Sequence, residues 1–485
     1  MLSSETSQRR FTLVILSLIV VHSVFRYNLG GTLSFLVSKF AYEVGNIAQS
    51  LVEGKGFSHP FDYPTGKTAW MPPVTVLVYS FSFFFFGVKT YQAALSLLAT
   101  KALCLILAGV AFAKLAKEEG LGRTNWSLIV VYTLGLLGHF NWLSQSLGEQ
   151  WIVILLSPLA LLVLAQLERS RHQVWHFVFV FFLPLTTPPL ALGFAILLVL
   201  VGVQGEKRAW KLLLVFFLAI GMWMFRNSNA LGMAYPAKSN LWLEFVLSNE
   251  YSTSGILSTE TILRFHPYHE GNDSVTIFQE NSEPEAQEIF RKKARKLVSE
   301  EPTLYLRKVA NRFRNVFLYT DRIFDCWPSS LRVCAKDAEI LRRSNLMTLV
   351  QKKTEISQYW EICQQPPKEA SRLLGQENLL HPEQVRRSLA MAQTERLKAM
   401  LLPADILWGL CYGLLPTLAI LVGSFKGAYR DRRFFQPAML YLIYMFPYVL
   451  ISHNERYQVA SLSLQVWLVW YVFFSEKVFS REASD

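Results

Sequence analysis

The chain has 485 residues, 52% of them apolar or aromatic and 17% charged, with a formal net charge of +12. Its apolar residues gather into long runs instead of alternating, which is a membrane composition and argues against a soluble protein. The positive charge raises nucleic acid as a partner, but a multi-pass protein also uses Lys and Arg to hold loops on the cytoplasmic side, so no nucleic acid is expected.

Met1 to Arg10 is short and basic, and no small-residue cleavage site follows the apolar run behind it, so it reads as a retained anchor. Apolar runs and intervening basic residues predict about ten transmembrane helices. They are Phe11 to about Tyr27, Val88 to about Leu115, Trp126 to Leu147, Trp151 to Leu167, two short spans within Val174 to Val203, Ala209 to Phe225, Ile406 to Gly423, Phe434 to Ser452 and Val459 to Phe474. The short pair is divided at Thr186-Thr187-Pro188-Pro189, because consecutive prolines cannot continue a helix. Val74 to Phe86 falls short of the roughly 20 residues a spanning helix needs and is expected to lie in the interface.

This parity puts both termini and the basic loops around Lys114, Arg169, Lys207 and Arg430 in the cytoplasm. Gly30 to Phe86, the Gly148-Glu149 turn, Arg226 to Asp405 and His453 to Tyr457 then meet on one external face. The expected organisation is all-α. An N-terminal transmembrane domain at 1–225 carries an external loop at 28–87, a mainly helical external domain occupies 226–404, and C-terminal transmembrane helices fill 405–485.

Within the external domain, Ala286, Ile289, Phe290, Ala294 and Leu297 mark one face of a helix over Glu285 to Val298. Pro302 opens a second helix with Tyr305, Val309, Phe313 and Phe317 on one side and Arg307, Lys308, Arg312 and Arg314 around the other. Such a basic face suits anionic lipid head groups, or it is simply solvated. Cys104 and Cys411 lie in apolar runs; Cys326, Cys334 and Cys363 lie in the polar segment and could form one disulfide or stay as thiols. No C-x-x-C indicates zinc, and no metal site is expected. Asn272-Asp273-Ser274 fits a glycosylation sequon without deciding the compartment.

The signatures of nucleotide hydrolysis, serine hydrolysis and zinc proteolysis are absent. The informative polar residues lie at external span ends. Glu43 sits on a short amphipathic helix that leads through Gly54-Lys55-Gly56-Phe57 to Pro64-Thr65-Gly66-Lys67-Thr68-Ala69-Trp70-Met71-Pro72-Pro73, where an interfacial helix opens. An acidic residue, an A-x-x-L-x-x-G-x-G-F helix and turn, and a T-A-W-x-P-P opening resemble the GT-C class of polyprenyl-phosphate-sugar-dependent membrane glycosyltransferases. The layout is most similar to bacterial relatives of protein O-mannosyltransferases. Gly148-Glu149, Arg226-Asn227 followed by Ser239-Asn240-Leu241-Trp242, His266-Pro267, Glu300-Glu301-Pro302 and His453-Asn454-Glu455-Arg456-Tyr457 extend the resemblance; the last is similar to the class's E-R-Y element. Residues from about Ser330 to Leu402 match no recognised motif.

The resemblance implies a GT-C-like fold in a bacterial cytoplasmic (inner) membrane, with the active site on the external face. The implied activity is inverting transfer of a hexosyl or pentosyl group from a polyprenyl-phosphate carrier to the hydroxyl of a glycan, lipid or protein acceptor. Glu43 and Glu149 are the implied catalytic carboxylates; Arg456, Arg226, Tyr457 and His453 the donor-phosphate residues; and Asn227, His266, Lys67 and Trp70 candidate substrate contacts. Some members of the class use a divalent cation, although nothing in this sequence demands one.

Each residue also has a plain reading. Glu43 could be the polar side of an interfacial helix, Glu149 a helix cap, Arg456 and Arg226 span-end anchors, His266 a loop residue, and Tyr457 and His453 interfacial side chains. Two other function classes fit a polytopic chain: a lipid or solute transporter, and a non-enzymatic partner in cell-envelope polysaccharide assembly. The inverted halves expected of many transporters are not evident.

Overall fold

The structure is a computed structural model that describes residues 42–121, 127–133, 148–169, 174–252, 254–257, 273–318 and 414–474, with further positions at 33, 36, 37, 40, 135, 136, 143, 261, 262 and 265–267. The span expected from Phe11, the three polar-segment cysteines and residues 330–402 lie outside the described residues, as do parts of the spans expected from Trp126 and Ile406. The chain divides into two compact units, one formed by residues up to Phe317 and from Leu415 onward, the other by Leu318–Leu414.

Every regular element among the described residues is a helix, and two isolated bridges, Ser58 with Lys67 and Ile256 with His453, are the only strand-like pairings among them. Among the described residues three helices are long and apolar enough to cross a membrane: α3 (Tyr91–Glu118), α4 (Gln150–Glu168) and α7 (Lys207–Leu231). Within its apolar window α4 is 83% buried, whereas α7 is 28% buried. Thus α4 is a central helix, and α7 turns Leu214, Phe217, Leu218, Met222 and Phe225 outward. An outer surface of large apolar side chains is the mark of a helical membrane protein, since water would penalise it and lipid does not.

Shorter apolar helices accompany these three. The region 174–203 forms α5 (Val174–Phe182) and α6 (Pro188–Val203), separated at the expected prolines, with Pro188 at the first helical position. After the second unit come α12 (Leu415–Phe425), α13 (Arg432–Leu450), α14 (Glu455–Ala460) and α15 (Leu462–Phe474). The segment expected in the interface is α2 (Pro73–Phe86), only 14 residues long. It buries Thr75, Val76, Tyr79, Ser82 and Phe83 while exposing Leu77, Phe81, Phe84 and Phe85, so apolar side chains line both its faces.

Ion pairs align one end of the array. Arg169, just past α4, lies 3.3 Å from Glu118 of α3, and Arg432 of α13 lies 3.5 Å from the neighbouring Glu119. The C-terminal ends of α3 and α4 and the N-terminal end of α13 therefore meet. At the same end Asp431 accepts the Tyr471 hydroxyl at 2.7 Å and pairs with Arg433.

The remaining elements are α1 (Glu43–Val52), α8 (Leu241–Val246) with a π turn at Leu247–Tyr251, α9 (Asp273–Glu280), α10 (Glu283–Glu300) and α11 (Pro302–Leu318). The periodicity of α11 was expected to turn its cations toward head groups or water. Arg307 and Arg314 are exposed as expected, but Lys308 and Arg312 are buried, while Leu306 and Phe313 are 62% and 54% exposed. The cause is hydrogen-bonding demand. Arg312 donates from Nε to the Val449 carbonyl at 2.7 Å, from Nη2 to Leu450 at 2.9 Å, and from Nη1 to Asn249 Oδ1 and the Gly255 carbonyl, both at 3.0 Å. Val449 and Leu450 are the last residues of α13, whose carbonyls have no partner within their own helix. A cation at that end also complements the helix dipole.

One apolar cluster joins α1, the loop that follows it, α2, the start of α3, α8, α9 and α10. Its centre is aromatic: the rings of Phe61 and Trp70 lie 4.9 Å apart, Trp70 and Phe278 5.4 Å, and Phe61 and Phe278 5.3 Å. Edge-to-face pairs of this kind contribute about 0.5–1.5 kcal/mol each beyond burial. This packing fixes the loop that carries the candidate site.

Candidate active site

Helix α1 ends in a Schellman motif that accounts for the glycine spacing. Gly54 N–H donates to the Leu51 carbonyl at 3.2 Å and Lys55 N–H to Ser50 at 2.8 Å, with Gly54 left-handed at φ +75°. Gly56 takes the same φ of +75°, which turns Phe57 back onto the fold. The Phe57 ring packs 5.3 Å from Trp223 of α7. His59 Nδ1 then accepts the Thr65 and Gly66 N–H groups at 3.1 and 3.2 Å, closing the loop between them.

That loop delivers Trp70 to Glu43. The Trp70 indole Nε1–H donates to Glu43 Oε1 at 2.7 Å, and His266 Nε2 lies 3.2 Å from the same oxygen. Two nominated residues, Trp70 from the same external loop and His266 from a distant segment, thus meet at the Glu43 carboxylate. The Glu43 side chain keeps 23% of its exposure and His266 10%, so the carboxylate is oriented from within and open on one side. Trp70 itself is fully buried, so its part here is to orient Glu43 and not to stack on a substrate.

The other nominated residues have different surroundings. Arg226, near the end of α7, donates from Nη1 to the Thr68 carbonyl at 2.6 Å and to Asn227 Oδ1 at 2.9 Å, and from Nη2 to the Phe57 carbonyl at 3.0 Å. Its guanidinium also sits 5.1 Å from the Phe57 and Trp223 ring centres. It grips the loop from behind. Asn227 is buried and donates to the Tyr235 carbonyl at 2.8 Å. Lys67 is exposed on the loop rim, bridged to Ser58.

Glu149 precedes α4, yet its carboxylate makes no cap to that helix. It is buried within electrostatic reach of Tyr448, whose ring stacks 3.9 Å from Tyr457. Glu149 and Tyr457 therefore share a second constellation. Nothing is described of the Glu455 and Arg456 side chains. His453 is buried, and its backbone carbonyl accepts the Leu257 N–H at 2.8 Å. Burial, helped by the Arg312 charge, pushes the His453 pKa down to about 3, so at neutral pH its ring supplies no positive charge for a phosphate.

A pH prediction follows from this neutral histidine. The folded value lies below the ordinary 6.5, so the contribution of His453 to stability is complete above about pH 6.5 and is lost as pH falls toward 3. Thermal denaturation in detergent from pH 7 to 4 should show acid destabilisation that His453→Asn reduces. An unchanged pH dependence would exclude His453 as its source.

Sequence reasoning missed Glu283, the first residue of α10. It accepts the Thr68 hydroxyl on Oε2 and the Ala69 N–H on Oε1, the latter at 2.8 Å. It also passed over Asp62, which accepts Asn46 Nδ2 at 3.0 Å, and Lys89, which donates to Asn46 Oδ1 at 3.1 Å. A Ser-x-x-Glu capping pattern such as Ser282 with Glu285 ordinarily marks a surface helix start. No motif distinguishes a buried Glu283 within it. Among the described residues no cluster of His, Cys, Asp or Glu could hold a metal ion. No protein-family model matches the chain, and neither does any curated protein or solved structure.

Proposed function

We propose that the chain is an inverting membrane glycosyltransferase of GT-C type, using a polyprenyl-phosphate sugar on the external membrane face with Glu43 as general base. The observation that carries this reading is the convergence of Trp70 and His266 on Glu43 Oε1. A carboxylate that only decorated an interfacial helix would have no need of two buried, oriented partners. As a base it takes the acceptor hydroxyl proton while that oxygen bonds to the anomeric carbon and the carbon–phosphate-oxygen bond breaks. The polyprenyl phosphate leaves with the bonding electrons and the anomeric configuration inverts. No general acid is required, because the phosphate is already a fair leaving group. His266 helps to orient the base.

Positive charge on the departing phosphate is assigned to Arg456, whose planar guanidinium offers bidentate donors. Glu149, beside Tyr448 and Tyr457, is assigned to the donor side of the site. The ten-span count, the bacterial inner membrane and the external domain belong to the same proposal. Mass spectrometry of lipids copurifying with the protein tests the reading: polyprenyl phosphate or its glycosylated form is expected, and their absence from active preparations would count against it.

Topology provides a separate check. In a cysteine-free background, Lys67→Cys should react with an impermeant maleimide from outside, and Arg171→Cys, Lys207→Cys and Arg432→Cys should not. Labelling of positions 67 and 171 from the same side would overturn the arrangement.

A further inference from the structure

Packing confines the Trp70 ring among Phe61 and Phe278, but the direction of its indole N–H also depends on the backbone that carries it. That backbone is held from two sides. Glu283 takes the Thr68 hydroxyl and the Ala69 N–H, and the same Thr68 oxygen accepts the Trp70 backbone N–H at 2.9 Å. Arg226 takes the Thr68 carbonyl at 2.6 Å, and the Ser239 N–H donates to the Ala69 carbonyl at 3.0 Å. Hydrogen bonds thus run without a gap from Glu283 through Thr68 to Trp70, and from the indole to Glu43.

A buried carboxylate is an expensive tether for one loop, because desolvation works against its charge. Two features offset that cost. Glu283 is the first residue of α10, where the helix dipole favours an anion, and the Arg226 charge acts on it from the far side of Thr68. Opposite charges gripping the hydroxyl and the carbonyl of one threonine fix a short strip of backbone more tightly than packing alone. The residue presented by that strip is the one that orients Glu43.

We propose that Glu283 and Arg226 are a positioning pair, clamping Thr68 and Ala69 so that the Trp70 indole N–H is aimed at Glu43 Oε1. The effect on turnover rests on Glu43 being the base; the effect on Trp70 does not. On this view Arg226 serves the base rather than the donor phosphate.

The test uses full-length protein labelled with 5-fluorotryptophan in detergent, with the position-70 fluorine signal assigned by its loss in Trp70→Phe. Glu283→Ala and Thr68→Val should each shift or broaden that signal, and Thr68→Ser, which keeps the hydroxyl, should restore it. If Glu283→Ala does not fold, the Thr68→Val and Thr68→Ser pair decides the matter. An unmoved position-70 signal in Thr68→Val, or one displaced equally by Val and Ser, overturns the proposal. With a labelled polyprenyl-phosphate sugar, Thr68→Val should also lower kcat by on the order of 10–100-fold at little change in donor KM, the effect of a displaced catalytic group. A Glu43→Gln protein that turns over normally would remove the base assignment, and the fluorine signal would still judge the clamp.

Discussion

Replacing Glu43 by Gln is expected to lower sugar transfer by about 10²–10⁴-fold, the contribution of a positioned general base. The substitution suits the geometry, because the amide oxygen can still accept the Trp70 indole N–H that now reaches Oε1 at 2.7 Å. Insertion and donor binding should therefore survive. Steady-state transfer by the purified variant, with donor affinity measured separately, checks this. A structural role alone would appear as lost stability, since Glu43 is part-buried and bonded to Trp70, and would leave the turnover of the folded protein intact. Glu149→Gln is the companion measurement. Its carboxylate belongs to the Tyr448 and Tyr457 constellation, so its loss should weaken donor use more than it impairs proton removal.

Arg312→Ala should be the most destabilising single change in the described part of the chain, by about 3–5 kcal/mol. Truncation leaves the carbonyls of Val449, Leu450 and Gly255 and Asn249 Oδ1 without this donor in a buried setting. The Leu450 carbonyl keeps the Tyr305 hydroxyl at 3.2 Å, and each acceptor that is orphaned costs about 1–3 kcal/mol, partly recovered by relaxation. Arg312→Lys should recover only part of the loss, because one ammonium cannot reproduce the fork. Burial lowers the Arg312 pKa to about 10, which still leaves the side chain cationic at neutral pH. Denaturation in detergent provides the measurement. The loss should extend to function, since Arg312 ties down the end of α13 from which the chain passes to Arg456.

Helices were legible in the sequence where a pattern met a breaker. The prolines at 188 and 189 and at 72 and 73 mark real helix starts, and Gly54 marks the end of α1. The 3.6-residue period of α11 was equally readable, but not the surroundings of each face. Periodicity separates apolar from polar sides without saying which side meets water, lipid or protein. In α11 Arg307 and Arg314 stay exposed, whereas Lys308 and Arg312 turn inward, Arg312 to the carbonyls left unpaired at the end of α13.

The site divides in the same way. Glu43, Trp70 and His266 could be named because they stand in motifs that resemble those of the GT-C class. Their meeting at one oxygen could not be named, because it depends on how the 57–68 loop folds. Glu283 was invisible for a plainer reason: an acidic residue in the first turn of a helix is ordinary, and only the fold buries it. The resemblance implied a phosphate role for Arg226, whereas the partners its guanidinium meets are the carbonyl oxygens of Thr68 and Phe57.

Transfer itself is the most direct test of the account. The protein is reconstituted into liposomes with polyprenyl-phosphate hexoses and pentoses labelled in the sugar, and host membrane fractions supply the acceptor. The label should leave the lipid-phosphate fraction and appear in a product of inverted anomeric configuration, with free polyprenyl phosphate released in step, and Glu43→Gln should abolish both. Recovery of every labelled donor chemically unchanged, whether moved between leaflets or left in place, would contradict the account and leave a transporter or an assembly partner in its stead.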